Sequence, residues 1–226
     1  MLHLYAVIDS APPDAAVGGA GTAGLLFVSW DGIACAAGHA AARSGPPTSA
    51  EVLRHQAVIE ALMPVGALLP LRFGTMVDNA HICRDFLARN AAALRHRLDW
   101  VRHCAEYALR VCGLEADPAR AVPARAEGPG AAHLRTLLRR VGGWPPSDAA
   151  FPHDRLLAHA KDRVLWPRTE GSADLRASFL VPQAQTERFL ADLSALMPLR
   201  PDLVFTCTGP WPPYSFADIG GGTAAP

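Results

Sequence analysis

Lysine is almost missing from this 226-residue chain: Lys161 stands alone, and arginine supplies the rest of the basic charge. Lys+Arg total 21 and Asp+Glu total 21, so the formal net charge is zero. A protein that grips nucleic acid by its phosphates carries a marked basic excess, and none is present here. The preference for arginine reads as GC-rich coding rather than as recognition chemistry. Charged residues make up only 19%, below the usual value of about 25%. With 50% hydrophobic residues, the chain is globular rather than disordered. Zero net charge also removes the repulsion that keeps molecules apart, which suits a protein that assembles with others.

Long hydrophobic runs are also lacking. Ala67–Leu71 and Leu25–Trp30 are among the longest, far short of the roughly 18 residues of a membrane-spanning helix. No basic stretch followed by an apolar core opens the sequence, so it does not read as a secretory signal, and a cytoplasmic location is expected. Five cysteines, Cys35, Cys83, Cys104, Cys112 and Cys207, are odd in number and form no CxxC pair. In a reducing compartment they read as free, small, buried hydrophobes. The length allows one large domain or two small ones, with a core that needs neither disulfides nor metals.

What is present is a succession of strand and helix signals. Leu2–Ile8 is rich in β-branched and aromatic residues and reads as a strand. Leu25–Ser29 and Ile33–Ala37 flank Trp30-Asp31-Gly32, a hairpin signal. Thr48 and Glu51 have the spacing of a capping box, and a helix follows to about Met63, with Val52, Gln56, Ile59 and Met63 on one face and Leu53 and Ala57 beside them. Val65–Phe73 is apolar and extended. Asp78 is the expected cap of a second helix, reaching about Leu98 with a stripe of Ile82, Phe86, Leu87, Leu94 and Leu98. Trp100–Cys112 reads as a strand with Val101, Ala105, Tyr107, Leu109 and Val111 on one face and Arg102, Glu106 and Arg110 on the other.

Residues 114–129 form a Pro/Ala/Arg-rich linker. Beyond them come a basic helix over Ala131–Val141, a loop over 142–152, a short helical stretch within Phe151–Lys161 and a strand at Arg163–Trp166. Ala173–Val181 alternates as a strand. Pro182 opens a helix whose core face is Phe189, Leu190, Leu193, Leu196 and Met197. Leu203–Thr208 is a last strand before the aromatic and proline segment Gly209–Phe216. Hairpins followed by clustered helices indicate an α+β fold with mainly antiparallel sheets.

Motifs for chemistry are sparse. Gly19–Gly24 matches GxGxxG in letters, but a loop precedes it and an apolar strand follows, where a dinucleotide site needs a strand before and a helix after. His39, His55, His81, His96, His103, His133, His153 and His159 include no HExxH and no zinc spacing with cysteine. His55 is expected to cap or to pair with Glu51. No P-loop, GxSxG or paired-carboxylate pattern stands out. A cysteine or histidine nucleophile assembled in space is a minor alternative, and no cofactor or metal is expected.

Three segments carry a family resemblance. They are the N-terminal strand with Tyr5 (LYAVI), the stretch VGALLPLRFGT over Val65–Thr75 preceded by RHQAVIEAL over Arg54–Leu62, and TGPWPPYSF over Thr208–Phe216. Together with RASFLV ahead of the last helix, they resemble the GvpF/GvpL gas vesicle proteins over nearly the whole chain. The resemblance implies an accessory protein, not an enzyme, that binds the small hydrophobic shell protein, together with other gas vesicle accessory proteins, and enters the vesicle as a minor component. It implies neither nucleic acid nor lipid membrane as a partner. It also implies two domains: an N-terminal ferredoxin-like α+β domain over 1–113 and a smaller C-terminal α+β domain over 130–226. Residues 115–152, rich in Ala, Pro and Gly, depart from the longer, charged helices typical of the family. The alternative reading is a ferredoxin-like ligand-binding or regulatory module.

Five residues are the candidates for partner binding or for an interdomain contact. Arg72 sits within an apolar run, so its guanidinium must reach solvent or meet a carboxylate such as Glu60 or Glu106. Phe73 follows it. Trp211, Tyr214 and Phe216 stand among prolines that stiffen the segment. They either pack back onto the N-terminal domain or offer an aromatic platform to a hydrophobic partner.

Overall fold

The computed structural model describes residues 1–10, 24–40, 45–113, 153–166 and 174–219. The linker at 114–129, the basic helix at Ala131–Val141 and most of the first glycine-rich loop lie outside the described residues. Two antiparallel sheets and four helices make up the described chain. It divides into two units. One comprises Met1–Glu106 together with the chain from Pro210 onward, and the other comprises Tyr107–Gly209.

In the first unit, β1 (Leu2–Ile8), β2 (Leu26–Trp30), β3 (Ile33–His39) and β4 (Leu68–Pro70) form a sheet in the order β2-β3-β1-β4, and β5 (Met76–Val77) pairs with β1. Trp30 pairs with Ile33 across a two-residue turn. Asp31 and Gly32 both take positive φ there, 43° and 80°, as the right-handed twist of a tight hairpin demands. Between Leu4 and Ala6 the β1–β3 register slips. Tyr5 is the extra residue of a bulge, a device that re-aims a side chain.

Helix α1 (Ser49–Leu62) begins with the expected capping box at Thr48 and Glu51. Its inner face is not the expected one. His55, Val58, Ile59 and Leu62 are buried, whereas Val52 and Leu53 are exposed. Apolar residues occupy both sides of this helix, so periodicity alone could not choose the face that packs on Ala6, Ile8, Ala34, Ala36 and Leu68. Helix α2 (Ala80–Val101) is capped by Asn79, whose side chain accepts from His81 N and Ile82 N. The expected cap was its neighbour Asp78. Cys83, Leu87, Leu94, Leu98 and Val101 are buried, and Ile82, expected in the stripe, is exposed. Trp100 and Val101 belong to this helix, so strand β6 (Cys104–Cys112) starts later than the sequence suggested.

The expected ferredoxin-like domain implies the order β-α-β-β-α-β. The described elements from β1 to β6 run β-β-β-α-β-β-α-β, with residues 11–23 outside the description between β1 and β2.

The second sheet has the order β7-β8-β6-β9, with β7 (Asp162–Trp166), β8 (Leu175–Pro182) and β9 (Val204–Trp211). β7 and β8 pair antiparallel from Asp162↔Leu180 to Trp166↔Arg176. Tyr107 and Phe179 reach Phe189 of helix α4 (Thr186–Leu196), at ring separations of 5.5 and 5.4 Å. Leu193 and Leu196 of α4 are buried, but Leu190 and Met197, assigned to the core face from sequence, are exposed. Pro182 ends β8, and a 3-10 turn separates it from α4. The short helix α3 (His153–Leu157) is tied to α4 by Arg155, and the turn after it by His159, both on Asp192.

Candidate interaction surface

Strand β4 is the point on which the informative segments of the first unit converge. Leu71, just beyond it, is held by its backbone on two sides. Its N–H donates to Tyr5 O at 2.8 Å, and its carbonyl accepts from His55 Nε2 at 3.0 Å. His55 is 3% exposed and faces the sheet, not Glu51, whose carboxylate is taken up by Thr48. Burial pushes the His55 pKa below its ordinary value, against a smaller raising effect of the Leu71 carbonyl. The imidazole is therefore neutral near pH 7.

Four rings gather at this corner. His3 stacks on His55 with centroids 5.0 Å apart and planes 10° apart, and on Tyr5 at 4.9 Å. Phe73 stands edge-on to both histidines at 5.3 and 5.4 Å, the geometry that aromatic quadrupoles favour. Gly38 leaves room for Tyr5: a Cβ there would lie 3.2 Å from the ring. The turn after Leu71 closes on itself, since Thr75 N and Thr75 Oγ1 donate to Arg72 O at 3.1 and 2.7 Å. Gly74 supplies the positive φ of 86°. Arg72, expected to pair with Glu60 or Glu106, is exposed at the tip of this turn, and among the described residues neither carboxylate is its partner. Solvent takes the charge instead.

Glu106 has another task. Although 6% exposed, its carboxylate accepts from Ser215 N at 2.8 Å and from Ser215 Oγ at 2.5 Å. These bonds secure the 3-10 turn Tyr214–Phe216, which packs on β4. Pro212, Pro213 and Phe216 are buried, Trp211 is half-buried, and Tyr214 is 41% exposed. Burial and the neighbouring Glu60 carboxylate push the Tyr214 hydroxyl up to about 12. The stiff aromatic segment thus packs back within the first unit, and of its three aromatics Tyr214 shows most surface.

A model of the family described as "Gas vesicle synthesis protein GvpL/GvpF" matches residues 1–218. The chain belongs to the GvpL/GvpF family. Gas vesicle protein L of Streptomyces sp. (strain CB03234) is 31% identical over 185 residues, covering 73% of this chain and 68% of that one. Gas vesicle protein F2 of Halobacterium salinarum is 26% identical over 223 residues, 96% and 92% of the two chains. The fold is shared with crystal structures of GvpF from Anabaena sp. PCC7120, at TM-score 0.73 and 19% identity over 97% of both chains. GvpF from Microcystis aeruginosa gives 0.71 and 20%, over 96% of this chain and 98% of that one.

In this GvpL/GvpF chain the glycine run at 19–24 leads within two residues into strand β2, so no helix follows to receive a pyrophosphate. Cys35 and Cys83 are buried, as expected of free cysteines, while Cys104, Cys112 and Cys207 are half-buried. Burial raises the Cys207 thiol to about 11, away from the thiolate that reacts. Among the described residues no cluster of His, Cys, Asp and Glu could hold a metal ion. No described helix is long and apolar enough to cross a membrane.

The second unit carries an open groove of about 470 Å³ on its sheet, lined by Ala108, Arg110, Trp166, Arg176, Ser178 and Thr206 among others. Trp166 Nε1 donates to Ser178 Oγ at 3.2 Å, which fixes the indole, and Asp174 holds Arg110 at 3.1 and 2.5 Å. No residue of this groove was a candidate from sequence. Nor was His3 or Glu106 as a holder of Ser215. His3 could have been found from its place two residues before Tyr5 on one strand face, because residues i and i+2 share a face.

Proposed function

We propose that this chain is an accessory protein of gas vesicle formation that binds the hydrophobic shell protein and remains with the vesicle as a minor component. It acts in the cytoplasm alongside other gas vesicle accessory proteins, and the reading assigns it no bond-making role. Family membership supports the gas vesicle setting. One observation carries the choice of surface: Arg72 and Tyr214 are exposed while the residues around them, His55, Phe73, Pro212, Pro213 and Phe216, are locked. Arginine and tyrosine held by rigid neighbours are the side chains that contribute most at protein interfaces, because little entropy is lost when they are covered. For architecture we retain an N-terminal ferredoxin-like domain over 1–113 and a smaller C-terminal α+β domain over 130–226, while the two compact units divide the chain differently, the segment from Pro210 onward grouping with Met1–Glu106.

The test is binding to the shell protein encoded with it, by pull-down and titration at micromolar concentration. Arg72→Ala and Tyr214→Ala are each expected to weaken binding about tenfold, equivalent to about 1.4 kcal/mol, with unfolding temperature unchanged. Wild-type protein that binds no shell protein at micromolar concentration refutes the function, and variants that bind like the wild type refute the surface. The alternative of a ligand-binding module has the Trp166 groove in its favour. It would show as a thermal shift with a small molecule that Trp166→Ala abolishes.

A further inference from the structure

Helix α4 packs on one face of the second sheet, and strand alternation assigns the side chains of the other. Tyr107 and Phe179 turn towards Phe189 of α4. Arg110 on β6, and Arg176 and Ser178 on β8, stand an odd number of positions away from them and so point the opposite way. Trp166 of β7 lies directly across from Arg176 in the β7–β8 register, and β9 contributes Thr206 to the same groove. Some of these groups are already engaged. The indole N–H of Trp166 is taken by Ser178 Oγ at 3.2 Å, so what Trp166, 48% exposed, offers is the apolar surface of its ring. Asp174 holds Arg110. Two groups are open. Arg176 is exposed and has no hydrogen bond, ion pair or ring contact among the described residues, and the Thr206 hydroxyl has no hydrogen bond among them. Asp174 offsets only one of the two guanidinium charges, so positive charge is left over beside the indole.

We propose that this groove binds a small aromatic carboxylate, its ring against the Trp166 indole and its carboxylate on Arg176. A flat ring meets the indole by offset stacking, and the indole, already fixed by Ser178, loses little freedom when covered. The guanidinium fork matches both the charge and the two oxygens of a carboxylate. Thr206 adds a hydroxyl that can donate to the same anion. A cation would meet the excess positive charge, and a neutral ligand would leave Arg176 without a counter-charge. The volume of about 470 Å³ lies within the range of small-molecule sites. This ligand class deepens the ligand-binding alternative and is independent of shell-protein docking through Arg72 and Tyr214.

Benzoate and its neutral isostere benzamide are titrated into the full chain while the indole Nε1–H resonances are followed by NMR. Benzoate is expected to shift Trp166 saturably with a dissociation constant of about 1–10 mM, the range open to so small a ligand. Trp100, in the first unit, should not respond. Benzamide should bind at least about tenfold more weakly, since it cannot form the charge-assisted hydrogen bonds. Cyclohexanecarboxylate keeps the charge but not the flat ring, and should bind about threefold more weakly than benzoate. Arg176→Gln, a change at an exposed position, should bring benzoate down to the level of benzamide with unfolding temperature unaltered. No saturable Trp166 shift with either benzoate or benzamide overturns both the carboxylate and the ligand-binding alternative. Benzamide binding as well as benzoate, or Arg176→Gln binding benzoate like the wild type, overturns the carboxylate assignment and leaves a groove for neutral ligands. If the variant fails to fold, the comparison of benzoate with benzamide in the wild type decides.

Discussion

Replacing Glu106 by alanine should unfasten the aromatic end of the first unit. The carboxylate is 6% exposed and receives two hydrogen bonds, from Ser215 N at 2.8 Å and Ser215 Oγ at 2.5 Å. A hydrogen bond to a charged group contributes about 1.5–3 kcal/mol, and a buried donor left without its partner costs further desolvation. Truncation removes both bonds, so a loss of about 3–5 kcal/mol is expected for Glu106→Ala. Ser215→Ala deletes only the hydroxyl bond, and about 1–2 kcal/mol should go. Because the two residues share an interaction, the double variant should cost clearly less than the sum of the single ones. Urea unfolding followed by circular dichroism gives each value from the shift in midpoint. If Glu106→Ala costs less than about 1 kcal/mol, or the two changes are additive within about 0.3 kcal/mol, the clasp is not what holds this segment.

Further outcomes follow from other sites. Gly113→Ala forces a side chain onto a φ of +92° with its Cβ 2.9 Å from the Asp202 carbonyl oxygen; a loss of at least about 2 kcal/mol is expected in the same assay, and a neutral result would refute the close approach. His55 has a folded pKa below its ordinary value of 6.5, so the unfolded chain takes up the proton first as pH falls. Its contribution to stability is present above about pH 6.5 and is lost progressively as pH falls from there to the lower folded pKa. Unfolding temperature against pH should therefore fall less steeply for His55→Gln than for wild type. Cys35 and Cys83 should resist a thiol reagent until the protein unfolds, and Cys207, raised to about 11, should react slowly in the native state; a fast-reacting Cys207 would revive the nucleophile alternative.

Where one residue type had one possible role, the sequence was enough. Thr48 and Glu51 could only be a capping box, and Asp31-Gly32 could only be a tight turn. Reading failed where two residues were equally able. Asp78 and Asn79 both make good caps, and the choice fell to the one whose side chain meets His81 N and Ile82 N. Helix α1 has apolar residues on both sides, so burial of His55 and exposure of Leu53 were decided by the sheet beneath it. Glu106 lay in the polar half of an alternating strand and read as solvent-facing or paired with Arg72. Its real partner is 109 positions away, a separation beyond any local pattern. The candidate surface was half legible for the same reason: PLRFGT and TGPWPPYSF could be picked out, but not that β4 brings them side by side.

The first unit is interrupted in sequence, since Tyr107–Gly209 lies between its two portions. On the ribosome, Glu106 must wait for Ser215 while more than a hundred intervening residues are made. Until then Phe216 cannot reach its buried place, and the edge at β4 stays bare. A polypeptide cut before Pro210 would thus disturb the unit built from Met1–Glu106. Emergence of the segment from Pro210 onward is thus what lets Ser215 reach Glu106 and covers β4.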